Sequence, residues 1–469
     1  YVPRVVQTRE INKKGNEKKL RYFPDFKNNT QDVGIYYAIK LIRNGSIAIF
    51  CSKKDSVNKI LLRFIELKER GVSLEAFSRL SDYAECSKIA YLIREHFGEN
   101  DLYTAALNGI VGHHSGIPNG VRIAEEYALK KSLVRCVVCT STLAQGVNLP
   151  IKYLIVSSVY QSKQVIKVRD FHNLIGRTAR AGKETEGTII LTENIYKNSK
   201  EDYKLNKYRC LLNADNSEEC SSNLLKLVRE IDLGNNRTIS FDFLKKYINS
   251  RYSNKSEYTK LKKGIIDYKE QGKECGEDIF YKMNEIDHIL VSLENFILGF
   301  VDVEDESFEI IKSTYGYYLA NEEEKEELKN IYNLIKSSID SLEVTDKLIY
   351  RKSMLGILKM KELSIFIDDN LYEIVNANFD ELIRIIANRL KESEVCKIIP
   401  KFVDDSNVYD LLKMWINGKS YIEIWSYAKS VNLLVKRGKK SRDISLEDII
   451  TLCDMDFGYA SLTIIQAII

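Results

Sequence analysis

The sequence lacks the marks of a membrane protein and of a secreted protein. No apolar run approaches the roughly 20 residues that a transmembrane helix needs, and the first residues, YVPR, show neither a signal pattern nor an initiator Met. The nine cysteines are odd in number and follow no regular spacing, which indicates a reducing, cytosolic compartment. We therefore expect a cytoplasmic protein without membrane contact, whose sequence begins inside a longer chain.

A zinc site also lacks support in the sequence. Cys136 and Cys139 form a close pair, but no second pair stands at zinc-finger spacing. The pair lies in an apolar run, and side chains three residues apart on a strand point to opposite faces. The pattern predicts a buried strand, with a metal site as the less favoured alternative.

Charge is distributed unevenly along the 469 residues, although the net charge is only +4. Residues 1–200 hold 32 Lys and Arg against 19 Asp and Glu, a net of +13, and the remaining residues hold 38 against 47, a net of −9. A basic first part fits a partner rich in phosphate. Solvated faces that differ by chance are the alternative explanation.

Short apolar strands alternate with amphipathic helices between residues 46 and 192, after an N-terminal hairpin (5–11 and 19–23) and a helix (32–43). This alternation predicts a parallel, doubly wound sheet that binds ligands at the carboxyl edge of its strands. The predicted strands are 46–51, 134–140, 153–158 and 187–191, and the predicted helices are 56–70, 81–97, 121–131 and 171–179. The rest of the chain has mainly helical periodicity.

Residues 171–182 carry two arginines in one short segment. On a continuous helix, about 100° per residue places Asn173, Arg177 and Arg180 on one face. Two guanidinium groups beside a sheet edge can clamp a transferred phosphoryl group, because each planar fork donates two parallel hydrogen bonds. A surface helix with ordinary salt bridges is the alternative.

Two further segments stand near predicted strands. Residues 140–150 directly follow the strand 134–140, and hydroxyl and backbone N–H groups at a strand end can bind phosphate oxygens. Residues 111–120 include His113 and His114, whose side chains face opposite ways on an extended segment, which disfavours a joint metal site. An ordinary turn is the alternative for both segments.

Together these three segments resemble the second RecA-like lobe of superfamily 2 helicases, in the superkiller-like branch of the DEAD/DEAH-type proteins. Residues 113–116 (HHSG) resemble the HHAG-type segment of that branch, residues 142–150 (TLAQGVNLP) its TLAAGVNLP-type segment, and residues 173–180 (NLIGRTAR) its QxxGRAGR-type segment. The strand at 46–52 resembles the one that opens the lobe. The resemblance covers about residues 1–195.

The resemblance implies an ATP-dependent motor that moves 3′ to 5′ on a single strand of DNA or RNA. It implies that Arg177 and Arg180 are arginine fingers for the ATP γ-phosphate. It also implies residues near the nucleotide (Gly146, Asn148, Asn173) and residues toward the nucleic-acid backbone (His114, Arg122, Thr140, Thr142). It implies no metal ligand in this chain.

The sequence departs from the pattern of the branch in two ways. Asn173 replaces the usual Gln and is a methylene shorter, and Ala179 replaces a Gly. No GxxxxGK[ST] phosphate loop and no DExH-type carboxylate pair occurs; in the branch they belong to a first lobe. We therefore expect a first lobe outside this sequence to bind most of the ATP and Mg²⁺, and this chain alone to be inactive. A catalytically dead relative is the alternative.

The expected architecture is an α/β RecA-like lobe (1–195), a polar linker (196–223), and a mainly α-helical region. That region is expected to hold a helical domain (224–345), for which a winged-helix-like fold is an alternative, and a helical bundle (346–469). A boundary near 391–401 is the alternative to one near 343–346. Residues 411–420 and 446–469 resemble the bundle that lines the single strand in the branch, with an unrelated helical interaction domain as the alternative.

A non-catalytic helical scaffold, whose RecA-like lobe binds a partner protein, is the competing function. The pair Arg177 and Arg180 favours the motor, because a scaffold does not need them. A composition rich in Lys, Asn, Ile and Tyr hints at an A+T-rich bacterium, where such helicases occur in repair and phage-defence operons. Expected partners are therefore single-stranded DNA or RNA, which phosphate contacts do not distinguish, the first lobe, and operon proteins.

Overall fold

The computed structural model divides the chain into two compact units, residues 1–218 with 391–458 and residues 219–390 with 459–469. The predicted bundle 346–469 is thus shared between the two units, and the predicted boundary at 345 lies inside the second. The structure describes residues 6–25, 30–140, 151–161, 164–176, 178, 186–193, 202–234, 237–262, 276–300, 307–393, 395–437 and 440–468.

The first unit begins with alternating strands and helices. The strands are β1 Arg9–Ile11, β2 Arg21–Phe23, β3 Ile47–Phe50, β4 Ile110–His113, β5 Cys136–Cys139, β6 Tyr153–Val156, β7 Tyr160–Gln161, β8 Gln164–Val165 and β9 Thr188–Leu191. The helices are α1 Thr30–Leu41, α2 Lys54–Glu69, α3 Glu75–Arg79, α4 Tyr83–Phe97, α5 Asp101–Leu107, α6 Asn119–Lys130, α7 Val168–Ile175 and α8 Asp202–Leu212.

Five of these strands form one parallel sheet in the order β4-β5-β3-β6-β9. The three central strands are almost wholly buried because both faces of the sheet are covered by apolar side chains. Cys136 and Cys139 pack into opposite cores, as expected for residues three apart on a strand. The predicted RecA-like α/β lobe and the predicted buried strand at the cysteine pair are confirmed.

The edge strand β4 was not predicted from the sequence, which reads as a turn at Gly112. A Cβ on Gly112 would lie 2.6 Å from Leu61 Cδ1 and 3.0 Å from Leu102 Cδ2. Glycine therefore lets α2 and α5 pack closely on this strand, which is one reason for a glycine inside a strand.

Ion pairs attach the N-terminal hairpin β1–β2 to the lobe. The buried Arg70 donates from Nη1 and Nη2 to both carboxylate oxygens of Glu17 at 2.8 and 3.0 Å, and from Nε to Glu66 at 2.8 Å. The Arg70 hydrogen bond is the main cause that lowers the pKa of Glu17 to about 2. Asp32, fully buried on α1, accepts two hydrogen bonds from Arg63 on α2.

The second unit is mainly helical, which confirms the predicted class of this region. Its elements up to residue 391 are β10 Ile231–Gly234, β11 Arg237–Ile239, α9 Phe241–Ser253, α10 Lys255–Lys262, α11 Gly276–Leu298, α12 Ser307–Lys312, α13 Tyr315–Leu319, α14 Glu322–Asp340, α15 Val344–Ser353, α16 Ile357–Asn376 and α17 Phe379–Lys391. Within the described ranges no helix is long and apolar enough to span a membrane.

A buried ion cluster joins the helices of this unit. Arg251 on α9 donates to Asp287 at 3.3 Å and to Glu294 at 3.1 Å, both on α11. Glu294 is fully buried and also accepts from the Tyr252 hydroxyl and from the backbone N–H of Ile357 at the start of α16. The cluster gives α9, α11 and α16 a shared polar contact inside an apolar core.

The remaining elements are α18 Val408–Ile416, α19 Tyr421–Ser430, β12 Leu434–Arg437, β13 Lys440–Asp443, α20 Leu446–Thr451, a π-helical segment Leu452–Ala460, and α21 Ser461–Ile468. Residues 391–458 pack on the lobe. Lys54 Nζ lies 2.5 Å from Glu447 Oε2, and the Asn119 N–H at the start of α6 donates to Asp454 at 3.1 Å. The ring of Tyr421 packs on His96 with centroids 4.7 Å apart.

Candidate nucleotide and nucleic-acid site

The carboxyl ends of the central strands meet at one edge of the sheet. The Thr140 N–H after β5 donates to the His113 carbonyl at the end of β4 at 3.1 Å. The Cys51 N–H after β3 donates to the Cys139 carbonyl at 2.8 Å, and the Ser157 N–H after β6 donates to the Phe50 carbonyl at 3.0 Å. Parallel sheets of this class bind ligands at this edge, so two of the three predicted segments start at the expected place.

His113 and His114 are both buried at this edge, with exposed fractions of 1% and 4%. His113 Nε2 lies 2.9 Å from Glu126 Oε1 on α6. The Gly116 N–H donates to His114 Nδ1 at 3.1 Å, and His114 Nε2 lies 3.3 Å from Asn58 Oδ1 on α2. The two rings therefore face different helices, as predicted for adjacent residues on an extended segment.

Burial keeps both rings neutral. Loss of solvent, followed by the positive charge of Lys54, lowers the pKa of His114 to about 4. Burial also lowers the pKa of His113, although the carboxylate of Glu126 opposes the shift. At neutral pH neither ring can offer a full positive charge to a phosphate.

Helix α6 brings charged side chains to the same region. Arg122 is half-buried, and its Nη2 donates to Asn119 Oδ1 at 3.2 Å. Glu125, one turn along, is fully buried, and neither carboxyl oxygen has a hydrogen-bond partner among the described residues. Burial first, and the neighbouring Glu126 second, raise the pKa of Glu125 well above its usual range, so this carboxyl is held protonated and neutral.

The helix predicted at 171–179 is wrong at its C-terminal end. Helix α7 spans Val168–Ile175 and ends at Gly176, whose N–H donates to the His172 carbonyl at 2.8 Å. Asn173 is exposed on this helix. The helix therefore does not extend to Thr178, which lies in a β-bridge. Glycine just after the last helical residue is a common helix stop.

A β-bridge takes the place of the last helical turn. Thr178 pairs in parallel with Ile151, directly after the second predicted segment. Ile151 follows residues 142–150 in sequence, and Thr178 stands between Arg177 and Arg180 in sequence. Thr142, Gly146, Asn148, Arg177 and Arg180 themselves lie outside the described residues.

Sequence reasoning missed several side chains at this site. Asn58, Glu126 and Asp454 contact the His114 ring, the His113 ring and the start of α6, respectively. No motif marks them, and Asp454 contacts a residue 335 positions away in sequence. Trp415, within the predicted bundle segment 411–420, packs on Phe457 with ring centroids 6.0 Å apart. Within the described ranges, no group of three or more His, Cys, Asp and Glu side chains could hold a metal ion.

Comparison with known proteins shows sequence similarity to several helicases. No protein-family model matches the chain. It is 30% identical over 192 residues to the Hachiman protein HamB of Bacillus cereus, and the match covers 40% of this chain and 16% of that protein. It is 28% identical over 199 residues to Helicase POLQ-like of Caenorhabditis elegans, covering 40% of this chain and 21% of that one. It is 34% identical over 95 residues to the ATP-dependent DNA helicase Hel308 of Aeropyrum pernix, covering 19% and 13%.

These similarities are consistent with a superfamily 2 helicase fragment. The resemblance predicted from the three segments is thereby confirmed. The chain spans only about a fifth or less of the length of these helicases. A crystal structure of the DUF1998 helicase MrfA bound to DNA and AMPPNP shows 17% identity and a TM-score of 0.27, covering 45% of this chain and 23% of that one.

Proposed function

We propose that this chain acts as the second RecA-like lobe of an ATP-dependent nucleic-acid helicase or translocase. The observation that carries the proposal is the pairing of Ile151 with Thr178. Ile151 directly follows the segment that resembles a nucleotide-coupling motif, and Thr178 belongs to the segment that resembles an arginine-finger motif. The similarity to named helicases supports the same conclusion.

On the nucleotide side, Arg177 and Arg180 are the proposed arginine fingers. ATP with Mg²⁺ supplies the phosphoryl group, whose negative charge must be stabilised during transfer. Planar guanidinium groups donate paired hydrogen bonds to such oxygens and remain charged at any physiological pH. Gly146, Asn148 and Asn173 are proposed to lie near the nucleotide, and the exposed position of Asn173 leaves its amide accessible to one.

On the nucleic-acid side, Thr140, Thr142, His114 and Arg122 are the proposed contacts to the strand backbone. Their roles differ because their charges differ. Arg122 provides the positive charge, whereas His114, neutral and 4% exposed, is proposed to hold the turn through its bonds to Gly116 and Asn58. The net charge of +13 over residues 1–200 supports sequence-independent binding of phosphates.

The complete motor is proposed to need a first lobe with a phosphate loop, because this sequence contains neither that loop nor a DExH-type pair. The test compares phosphate release by this chain alone with release by a longer protein that carries such a loop. We expect hydrolysis stimulated by nucleic acid only from the longer protein. Steady hydrolysis of ATP by the purified chain, stimulated by nucleic acid, would contradict the proposal that a first lobe is needed.

Arginine substitutions in the longer protein test the finger assignment. Arg177→Ala and Arg180→Ala are each expected to lower kcat by about 100-fold or more, with a smaller change in nucleotide affinity, because the fingers act on the transition state. Arg169→Ala, an exposed arginine on α7, is the matched control and should keep normal turnover. Near-normal turnover in both finger variants would contradict the assignment.

The Hel308 relative is named a DNA helicase, so single-stranded DNA is proposed as the first substrate. An RNA oligonucleotide of the same length and sequence is the comparison. If RNA stimulates hydrolysis more than DNA does, RNA is the substrate, and the proposed ATP-dependent motor function still stands. Stimulation by neither strand would favour the scaffold alternative.

A further inference from the structure

The second half of helix α16 and the first turn of α17 expose an unusual number of large apolar side chains. We call residues 365–381 the α16 surface. Its exposed apolar residues are Ile365 (62%), Leu371 (53%), Tyr372 (82%), Val375 (72%) and Phe379 (62%). Single exposed apolar residues are ordinary, but a contiguous group of this kind is typical of an interaction site.

The exposed residues form a stripe along the helix. At about 100° per residue, Ile365 and Tyr372, seven positions apart, and Leu371 and Val375, four apart, fall within one third of the helix circumference. A different face holds Leu363, which is buried, with Ile367 and Ile374, which are half-buried. The helix therefore has one apolar face packed in its own unit and a second that remains exposed to solvent.

The residues of the α16 surface itself carry charge of one sign, although Arg389 of α17 lies over the Phe366 ring, 4.5 Å from its centroid. Residues 365–381 contain no Lys and no Arg. Their acidic residues are Asp368, Asp369, Glu373, Asp380 and Glu381. The unit as a whole holds 24 basic against 32 acidic residues, a net of −8. Such a surface repels the phosphates of a nucleic acid or of an anionic lipid, and it attracts a positively charged partner.

We propose that the α16 surface docks a protein segment whose apolar side chains are bordered by Lys and Arg, such as one face of a basic amphipathic helix. Within the stripe, Tyr372 follows Ile365 by seven residues and Val375 follows Leu371 by four, which are spacings that one helix uses to pack against another, and Asp368 lies between them. Tyr372 is the expected anchor, because large aromatic side chains contribute most to such interfaces. The acidic rim provides selectivity and speeds association. The proposal does not depend on the motor function.

Three synthetic helical peptides of about 18 residues, which is about five helical turns, serve as probes against the full chain. The first peptide has Leu on its apolar face and Lys at its polar positions. The second keeps the Leu face and has Glu at the polar positions. The third keeps Lys at the polar positions and has Gln in place of every Leu. Fluorescence anisotropy should show saturable binding of the first peptide. The second and third should each bind at least tenfold more weakly, because one lacks the charge and the other the apolar face.

Variants of the protein locate the binding. Tyr372→Ser combined with Val375→Ser is expected to weaken the first peptide by tenfold or more. Asp368→Asn, Asp369→Asn and Glu373→Gln together should weaken it less, and mainly at low salt. Tyr83→Ser combined with Leu62→Ser, an aromatic and an aliphatic exposed on the first unit, is the matched control and should bind normally. Circular dichroism checks that all variants remain folded.

Three outcomes would overturn the proposal. Equal binding of all three peptides, or no binding, would show that the surface does not select for this chemistry. Loss of single-stranded DNA binding in the Tyr372→Ser, Val375→Ser variant would assign the surface to nucleic acid instead. Self-association of the unmodified chain that this variant abolishes, measured by analytical ultracentrifugation, would assign it to a second copy of the chain.

Discussion

The two compact units differ in the sign of their net charge and in how their buried carboxyl groups are paired. The first, residues 1–218 with 391–458, holds 46 Lys and Arg against 34 Asp and Glu, a net of +12, and the second has a net of −8. The first leaves the buried carboxyl of Glu125 without a described hydrogen-bond partner. The second connects its buried carboxylates, Asp287 and Glu294, to Arg251.

A buried carboxyl without a described hydrogen-bond partner at the sheet edge of the first unit is consistent with the ligand binding proposed there. A buried polar group without a partner costs free energy, so its retention needs a reason, and functional sites are the usual one. A buried ion cluster instead fixes how helices pack, although it adds little net stability over apolar residues. The first unit should therefore respond to pH and to ligands, and the second mainly to loss of its cluster.

The largest expected effect comes from breaking the cluster of the second unit. Arg251→Met leaves Glu294, which is fully buried, without its cation. Removal of one partner of a buried pair destabilises by about 3–5 kcal/mol, because the other charge remains desolvated. Hydrogen–deuterium exchange of peptides from α9 and α11 should show the loss of protection.

Lys245→Met is the matched control for this substitution. Lys245 pairs with Glu327 in the same unit, but its side chain is 48% exposed. Exposed pairs contribute about 0–1 kcal/mol, so the exchange rates should barely change. If Arg251→Met behaves like this control, the cluster does not hold the unit together.

Sequence reasoning predicted the central sheet because its strands are near-continuous apolar runs, and β3, β5, β6 and β9 all formed where expected. It missed β4, since Gly112 and His113 resemble a turn until the packing of α2 and α5 on that glycine is known. It extended α7 too far, because the pairing of Thr178 with Ile151 is a tertiary contact. Local periodicity does not contain that information.

The same limit applies to residues 391–458. Their helical pattern was visible in the sequence, but their packing on the lobe depends on single contacts between distant residues, such as Asp454 with Asn119. The three motif segments, in contrast, identified the helicase resemblance without any structure. A family resemblance carried by short local segments could be predicted from the sequence, and long-range packing could not.

Gly112→Val tests whether the sheet edge of the first unit depends on close packing. The added carbons would clash with Leu61 and Leu102, and overpacking of this kind costs about 3 kcal/mol at its upper end. Urea denaturation should show a lower midpoint. Gly120→Ala on α6, where nothing lies within 4 Å of the added Cβ, should be neutral or slightly stabilising; equal effects of both substitutions would show that β4 is loosely packed.

Acidification should destabilise the first unit by a smaller amount. Burial lowers the pKa of His114 to about 4, below the ordinary histidine value of about 6.5, so the unfolded chain binds the proton more readily than the folded one. The contribution of the neutral His114 ring to the free energy of unfolding is complete above about pH 6.5 and is lost as the pH falls toward 4. Between pH 7 and pH 5 the free energy of unfolding should fall by about 2 kcal/mol. Urea unfolding at the two pH values should show a flatter pH dependence in His114→Gln.

His288→Gln is the control for acidification. His288 is exposed on α11 of the second unit, and its replacement should leave the pH dependence of the unfolding free energy as it is in the unmodified chain. If the His114 and His288 variants have the same pH dependence, the buried ring does not carry the acid sensitivity of the first unit.

The smallest expected effect tests whether single-stranded DNA binds the basic first unit and not the acidic second unit. Single-stranded DNA should bind the first unit, so the logarithm of the binding constant should fall linearly with the logarithm of salt concentration, by about 0.7 per neutralised phosphate. Arg122→Gln should reduce this slope by about 0.7, because it removes one proposed phosphate contact. Lys336→Gln, which removes a half-buried lysine paired with Asp340 in the second unit, should leave the slope unchanged. Titration of labelled oligonucleotide at several salt concentrations measures both, and a larger change for Lys336→Gln would place the strand on the acidic unit and reverse the comparison.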